Sequence, residues 1–320
     1  MDVILLGIPI GIVMLYFGSE WLVKGAKSLA LKLKVTPFVV GLTVGAFGSS
    51  APEMITSVVS VNNPELILGN VIGSNIANIG LAIGLAALIC PMAAHFKTME
   101  MEVVTMVVLT GIMAVLVSTG MITFSMGATL FAFLLLFLYF TYKLKKNDKE
   151  AQRSYTADVE EDSGKQKGYL ILIVLIVIGL VLLYFGARFF VDGAVVLARM
   201  FGISKLVIGL IVVALGTSLP EICICLVAAK RGENELAVSN IVGSNIFNIC
   251  AVLGLGAMLT DIPVPESVII FHMPVLAIMS IAMFIIVGLK DRIGRTSAAL
   301  FLAVYIGYIA TMFLVPSLSI

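Results

Sequence analysis

Two stretches decide the fold: VGLTVGAFGSSAPE at Val40–Glu53 and IGLIVVALGTSLPE at Ile208–Glu221, 168 positions apart. Both are apolar runs that end in Gly-Ser/Thr-Ser-x-Pro-Glu. Around them the chain repeats itself. LYFG at Leu15–Gly18 returns at Leu183–Gly186 with the same offset. Downstream, ELILGNVIGSNIANI (Glu65–Ile79) meets ELAVSNIVGSNIFNI (Glu235–Ile249) at an offset of 170, so two residues were gained in the turn around Lys230–Glu233. Gly, Pro, Glu, Ser and Asn stay in register over about fifty residues per half, which a gene duplication explains and chance does not.

The surrounding composition sets the solvent. Of 320 residues, 60% are hydrophobic and 12% charged, and the net charge is +1. A soluble domain carries about twice that charge. A mean hydropathy of +1.14 agrees. Disorder and a soluble enzyme are thereby excluded, and no basic field exists to attract nucleic acid. A membrane helix needs about 20 apolar residues. Ten candidates run near 3–29, 36–61, 65–90, 99–118, 122–143, 168–200, 204–231, 234–258, 264–288 and 293–317. The one clearly polar stretch, KKNDKEAQRSYTADVEEDSGKQK (Lys145–Lys167), mixes both charge signs and reads as a linker. The expected organisation is a first five-helix repeat at 1–143, a polar linker at 144–167 and a second repeat at 168–320. MDVILLGIPI at the N-terminus lacks a basic n-region and a cleavage site, so it is expected to be a first span rather than a signal peptide.

An odd number of helices per half sends the second half into the membrane from the opposite side. The expected fold is an all-α polytopic membrane protein of ten transmembrane helices in two inverted five-helix repeats, an architecture whose sites lie at the midplane between repeats. Lys27, Lys32, Lys34, Lys97, seven basic residues from Lys143 to Lys167, Lys230, Arg231, Lys290, Arg292 and Arg295 collect on one side, against Arg199 and Lys205 on the other. The positive-inside rule makes the first side cytoplasmic, with both termini outside and the linker inside.

Four acids are expected within spans: Glu20, Glu53, Asp192 and Glu221. An ionised group at the bilayer centre costs roughly 2.5–3.5 kcal/mol even on the lenient scale, so each needs a partner or a function. Glu20–Lys24 and Arg188–Asp192 are i,i+4 pairs at matching repeat positions and are expected to pair within their helices. Glu53 and Glu221 have no basic neighbour on their helices. Pro52 and Pro220 each remove a backbone N–H and free the carbonyls of Gly48 and Gly216. Strain there is expected to break the helix and turn the carbonyls of Ala46, Ser49, Ala214 and Thr217 off their ladders. Such backbone at membrane depth persists only where it lines a cavity or is buried in protein. Half-helix C-terminal carbonyls suit a cation.

In GSNIANI and GSNIFNI, Ser74 and Asn78, and likewise Ser244 and Asn248, share a helix face four residues apart. Gly73 and Gly243 are expected to admit another helix closely. These groups make an all-oxygen donor set, which suits Ca²⁺ or Na⁺. Cys90, Cys223, Cys225 and Cys250 show no metal spacing and read as small core residues. His95 and His272 lie near span ends. Two carboxylates neutralise one Ca²⁺ and repel each other without it, so Ca²⁺, Na⁺ and H⁺ compete for the same oxygens.

GSSAPE and GTSLPE, each followed by GSNIxNI, resemble the paired repeats of the sodium/calcium exchanger family, within the cation/Ca²⁺ exchanger superfamily. The short linker resembles its prokaryotic and archaeal members. The resemblance implies a monomeric plasma-membrane antiporter that exchanges Na⁺ for Ca²⁺ by alternating access, with no resident cofactor and no enzymatic step. It implies that Glu53 and Glu221 bind calcium and also serve sodium. Ser49 and Thr217 would give hydroxyl and carbonyl oxygens, and Ala46 and Ala214 would give carbonyls to sodium. Ser50, Ser218, Ser74 and Ser244 would be further sodium ligands, and Asn78 and Asn248 the central polar pair. Helices 1 and 6 would slide across the other eight. Some members carry Asp where this chain has Asn248, which makes potassium dependence less expected here. A Ca²⁺/H⁺ antiporter of the same fold is the main rival, but its motif typically reads GNAPE. A channel would need no inverted repeats. An intramembrane enzyme would need a base beside Ser50 or Ser218, and neither His nor Lys stands at a matching position.

Overall fold

The computed structural model describes residues 3–33, 35, 37–146, 168–201, 205–315 and 318, leaving aside the side chains of 3, 37, 38, 142, 145, 146 and 205–215. The protein is built from helices. Among the described residues, eight are long and apolar enough to cross a membrane: Ile4–Leu33, Glu65–Ile89, Phe96–Ser118, Phe124–Thr141, Tyr169–Met200, Asn234–Leu259, Val268–Lys290 and Arg295–Leu314. A further helix runs over Lys205–Lys230. The helix expected over 36–61 is a series of short pieces instead. Pro37–Val40, a π-helical turn at Gly41–Gly45, and Ala46–Ser49 precede a break at Ser50, after which Ala51–Val59 resumes.

Apolar side chains cover the outside. Leu170, Ile306, Ile270 and Val115 are among many large hydrophobic residues that are mostly exposed. In water this surface would be a severe liability; in hydrocarbon it is the solvated face. The arrangement is that of a multi-pass membrane protein. The two helices that carry GSNIANI and GSNIFNI are the exception, being largely buried inside the bundle, whereas the other spans expose most of their length. Each changes to a π-helical turn at its asparagine, over Asn78–Ile83 and Asn248–Leu253. Such turns are rare and often mark functional positions.

The first helix packs along Tyr169–Met200 through glycines. A Cβ on Gly18 would lie 2.8 Å from the Gly179 carbonyl oxygen, and one on Gly186 would lie 2.9 Å from the Leu15 nitrogen. Only residues without side chains let the two backbones meet this closely.

Among the described residues, four two-residue strands tie the ends of the bundle. β1 (Met92–Ala93) pairs antiparallel with β4 (Arg292–Ile293), and β2 (Met121–Ile122) with β3 (Ile262–Pro263). Each ribbon joins the first half of the chain to the second. Both are extended by one bond, Ala94 N–H to Asp291 O at 2.9 Å and Val264 N–H to Gly120 O at 3.0 Å. Gly120 and Asp291 turn the chain at φ +78° and +48°, a left-handed conformation that aspartate adopts more readily than most residues. The Asp291 carboxylate also accepts the Phe96 N–H at 2.8 Å, capping the helix that starts there.

Of the expected linker at 144–167, residues 144–146 belong to the Phe124–Lys146 helix and the remainder lies outside the described residues. The set of acids within spans is larger than expected, because Glu102, in the Phe96–Ser118 helix, is fully buried. Cys225 and Cys250 are buried and Cys90 and Cys223 half-buried, all as free thiols.

Candidate functional site

Glu53 sits in the first turn of Ala51–Val59, directly after the break at Ser50. Pro52 suits that start, where its missing N–H has no helical partner to lose. Glu221 follows Pro220 in the middle of Lys205–Lys230. Both side chains are completely buried. Among the described residues, both carboxylate oxygens of Glu53, and Oε2 of Glu221, lack a hydrogen-bond partner. Burying a charge without full compensation costs several kcal/mol or more. Two such groups in one chain are a costly arrangement that packing alone does not repay.

Hydroxyls surround them from both halves. Those of Thr217 and Ser74 lie beside Glu53; those of Ser49, Ser50 and Ser244 lie beside Glu221. Ser50 Oγ donates to Glu221 Oε1 at 3.4 Å. Ser49 Oγ and Ser244 Oγ are 3.3 Å apart, as are Ser74 Oγ and Thr217 Oγ1. Each pair takes one hydroxyl from each half, at exchanged positions. The two acids also interact electrostatically. Good O–H···O bonds are about 2.7–2.8 Å, so these oxygens are held near one another without strongly consuming one another's lone pairs. That is the donor state a hard cation needs.

Two expectations about the backbone are corrected. The Ala46 carbonyl is not turned off its ladder: it accepts the Ser50 N–H at 3.0 Å and the Ser49 hydroxyl at 3.4 Å. The break falls at Ser50, one residue too late to release it. The break expected at Pro220 does not occur, since Lys205–Lys230 is continuous. A proline deletes one hydrogen bond and bends a helix without having to end it. Ser218 is fully buried, and its hydroxyl has no hydrogen-bond partner among the described residues. Ala214 lies in the same helix, with its side chain outside the described set.

Asn78 and Asn248 are buried, each with an Oδ1 that has no hydrogen-bond partner among the described residues. Gly243 gives the close approach expected of it, since a Cβ there would meet the Ala46 Cβ at 2.7 Å and the Leu42 carbonyl oxygen at 3.0 Å. Gly73 does not: its Cβ position has no neighbour within 4 Å among the described residues.

Sequence reasoning passed over four asparagines. Asn70 donates to the Glu53 carbonyl at 3.4 Å and accepts from the Thr217 hydroxyl at 3.5 Å. Asn240, its counterpart 170 positions on, is fully buried, and neither amide atom has a hydrogen-bond partner among the described residues. Asn70, Ser74 and Asn78 follow at i, i+4 and i+8, as do Asn240, Ser244 and Asn248. The signal was in the repeat: the polar face extends one turn farther back. Asn75 and Asn245 cross-link the halves at the centre of the bundle.

Away from the centre, Glu20 pairs with Lys24 at 3.3 Å as expected, and also with Arg231. Lys27 pairs with Glu233 at 2.6 Å. The turn that gained two residues thus supplies both ionic contacts to the first helix. Arg188 and Asp192 are exposed and, contrary to expectation, form no ion pair with each other. Base before acid is the weaker i,i+4 order, and exposed side chains have little reason to hold one geometry.

The fold and this site define a multi-pass membrane protein with a buried, paired-carboxylate, all-oxygen centre. The profile of the sodium/calcium exchanger protein family matches residues 3–143 and 171–314. The chain belongs to that family. A membrane protein of Methanocaldococcus jannaschii is 36% identical over 306 residues, 95% of this chain and 96% of the relative. The sodium/calcium exchanger MaX1 of Methanosarcina acetivorans is 30% identical over 344 residues, 95% of this chain and 97% of the relative. A structure of the sodium-calcium exchanger NCX_Mj soaked with Na⁺ and Ca²⁺ superposes with a TM-score of 0.83 at 34% identity, covering 98% of this chain and 99% of the other.

Proposed function

We propose that the protein is an antiporter that exchanges Na⁺ for Ca²⁺ across a membrane by alternating access. One observation carries the reading: Glu53 and Glu221, one from each repeat, are fully buried beside hydroxyls from both halves, and three of their four carboxylate oxygens have no hydrogen-bond partner among the described residues. The family match and the similarity to exchangers for these ions favour sodium over a proton as the driving ion.

The proposed ligands are Glu53 and Glu221 with Ser49, Thr217, Ser50, Ser218, Ser74 and Ser244, the carbonyls of Ala46 and Ala214, and the amides of Asn78 and Asn248. Two carboxylates balance one Ca²⁺, and the same oxygens serve Na⁺ when calcium leaves. Coupling needs no covalent step. Occupancy by one ion excludes the other, and each ion stabilises the two access states differently. An ion-free site would carry two mutually repelling charges through a low-dielectric interior, and that penalty suppresses uncoupled cycling.

The proposed architecture is ten crossings in two inverted five-helix repeats. The exchange of strands between halves supports it: Met92–Ala93 corresponds to Ile262–Pro263 at offset 170, yet each pairs with the other half's second ribbon strand. In this reading the protein is a plasma-membrane monomer with both termini outside and the 144–167 linker cytoplasmic, on the basis of the basic residues in its loops.

The test is ⁴⁵Ca²⁺ uptake into sodium-loaded proteoliposomes. Uptake is expected to require the outward sodium gradient and to stop when choline replaces sodium. Uptake that follows an imposed pH gradient and ignores sodium overturns the proposal.

A further inference from the structure

The buried amides at the centre of the bundle are arranged in a reciprocal pattern. Asn78 donates through Nδ2 to Asn245 Oδ1 at 3.0 Å, and Asn248 donates through Nδ2 to Asn75 Oδ1 at 3.0 Å. Each bond therefore runs from one half of the chain to the other. The two acceptors are fixed in turn. Asn75 Nδ2 donates to the Asn245 backbone carbonyl at 3.3 Å, and Asn245 Nδ2 lies 3.6 Å from Met106 Sδ. All four residues are at most 1% exposed.

A planar amide has its oxygen and its nitrogen on opposite edges. When the nitrogen is held from behind, the oxygen has one direction left. Among the described residues, the oxygens of Asn78 and Asn248 are the unpartnered ends. Each belongs to the helix face that also carries Ser74 or Ser244, the hydroxyls that lie beside Glu53 and Glu221.

We propose that Asn75 and Asn245 are positioning residues: each grips the amide nitrogen of the opposite half's site asparagine, so that Asn78 and Asn248 present only carbonyl oxygen to the transported cation. Without the grip an amide can rotate and turn its NH₂ group toward the ion, which repels it. An oxygen acceptor at Asn75 also suits an amide at position 248, which has a proton to give, and opposes a carboxylate, which has none. Neither Asn75 nor Asn245 touches the ion in this scheme. The inference rests on the proposed ion site.

The test is a double-mutant cycle on purified protein, read as calcium-induced thermal stabilisation and as ⁴⁵Ca²⁺ flux. Asn75→Leu is expected to raise the half-saturating calcium concentration about tenfold, the scale of one well-oriented polar contact. Asn248→Ala is expected to do much the same. Because Asn75 acts through Asn248, adding Asn75→Leu to Asn248→Ala is expected to cause less than a twofold further change, a non-additivity that only coupled residues show. A merely structural role would lower the melting temperature equally in both backgrounds. An unchanged half-saturation in Asn75→Leu overturns the proposal, and so does a full tenfold effect persisting in the Asn248→Ala background. Should Asn75→Leu fail to fold, Asn245→Leu against Asn78→Ala runs the same cycle. The thermal readout does not depend on the driving ion, so a failure of sodium coupling in wild type and a failure of the positioning role give different results.

Discussion

Replacing Glu221 by glutamine removes one of two negative charges while keeping the shape and an oxygen for the Ser50 hydroxyl, which donates to it at 3.4 Å. The residue is fully buried and its second oxygen has no partner among the described residues, so the lost charge is not replaced by solvent. At an effective dielectric of about 20, two unit charges 4 Å apart attract by about 4 kcal/mol. Calcium carries two charges, while the amide keeps part of the attraction as a dipole. A net loss of about 4 kcal/mol is therefore the scale, or about a thousandfold in affinity. Sodium has half the charge and loses about 2 kcal/mol, about thirtyfold. Stability moves the other way. In ion-free choline buffer the variant is expected to melt at or above the wild-type temperature, because an uncompensated buried charge is gone. Calcium at a hundred times the wild-type dissociation constant stabilises wild type by about 2.7 kcal/mol and leaves the variant essentially unmoved. Thermal melts with and without calcium, paired with ⁴⁵Ca²⁺ flux, read both effects. A folded Glu221→Gln protein whose calcium half-saturation moves less than about tenfold would refute the shared-acid site.

Gly243→Ala is expected to abolish or severely slow transport, since its Cβ would lie 2.7 Å from Ala46 Cβ, whereas Gly73→Ala, with open space among the described residues, should leave flux within about twofold; equal outcomes would contradict the packing. Gly18→Val places a side chain against the Gly179 backbone at 2.8 Å and is expected to cost about 1–3 kcal/mol, read as a lower melting temperature in detergent. Arg231→Gln leaves Glu20 its contact with Lys24 at 3.3 Å, so a loss below about 1 kcal/mol is expected; a larger drop in the thermal melt would mean that this surface pair is worth more than such pairs usually are.

The carboxylate pair was legible in the sequence because burying charge is expensive and the chain does it twice in register. The hydroxyl ring followed from the same repeats. What escaped depends on tertiary packing. The π-turns at Asn78–Ile83 and Asn248–Leu253 arise from a choice between i+4 and i+5 bonding that no side-chain pattern dictates. Asn70 and Asn240 extend the polar face by one turn, but a helical asparagine has no single meaning until its neighbours are placed. Glu102 reads as an acid near a helix start, where the macrodipole favours it; only the assembled bundle buries it. Arg231 and Glu233 read as loop charges, and the first helix gives them their partners.

The strand exchange has a consequence for biosynthesis. β1 and β2 both belong to the first half of the chain, and each waits for a strand from the second. Glu53 likewise waits for Thr217, and Asn78 for Asn245. A nascent first half in the bilayer therefore has open ribbon edges, an unscreened acid and an unclasped amide until translation has passed residue 293. Neither half is a finished folding unit, and a chain cut within 147–167 should assemble only when both fragments are made together.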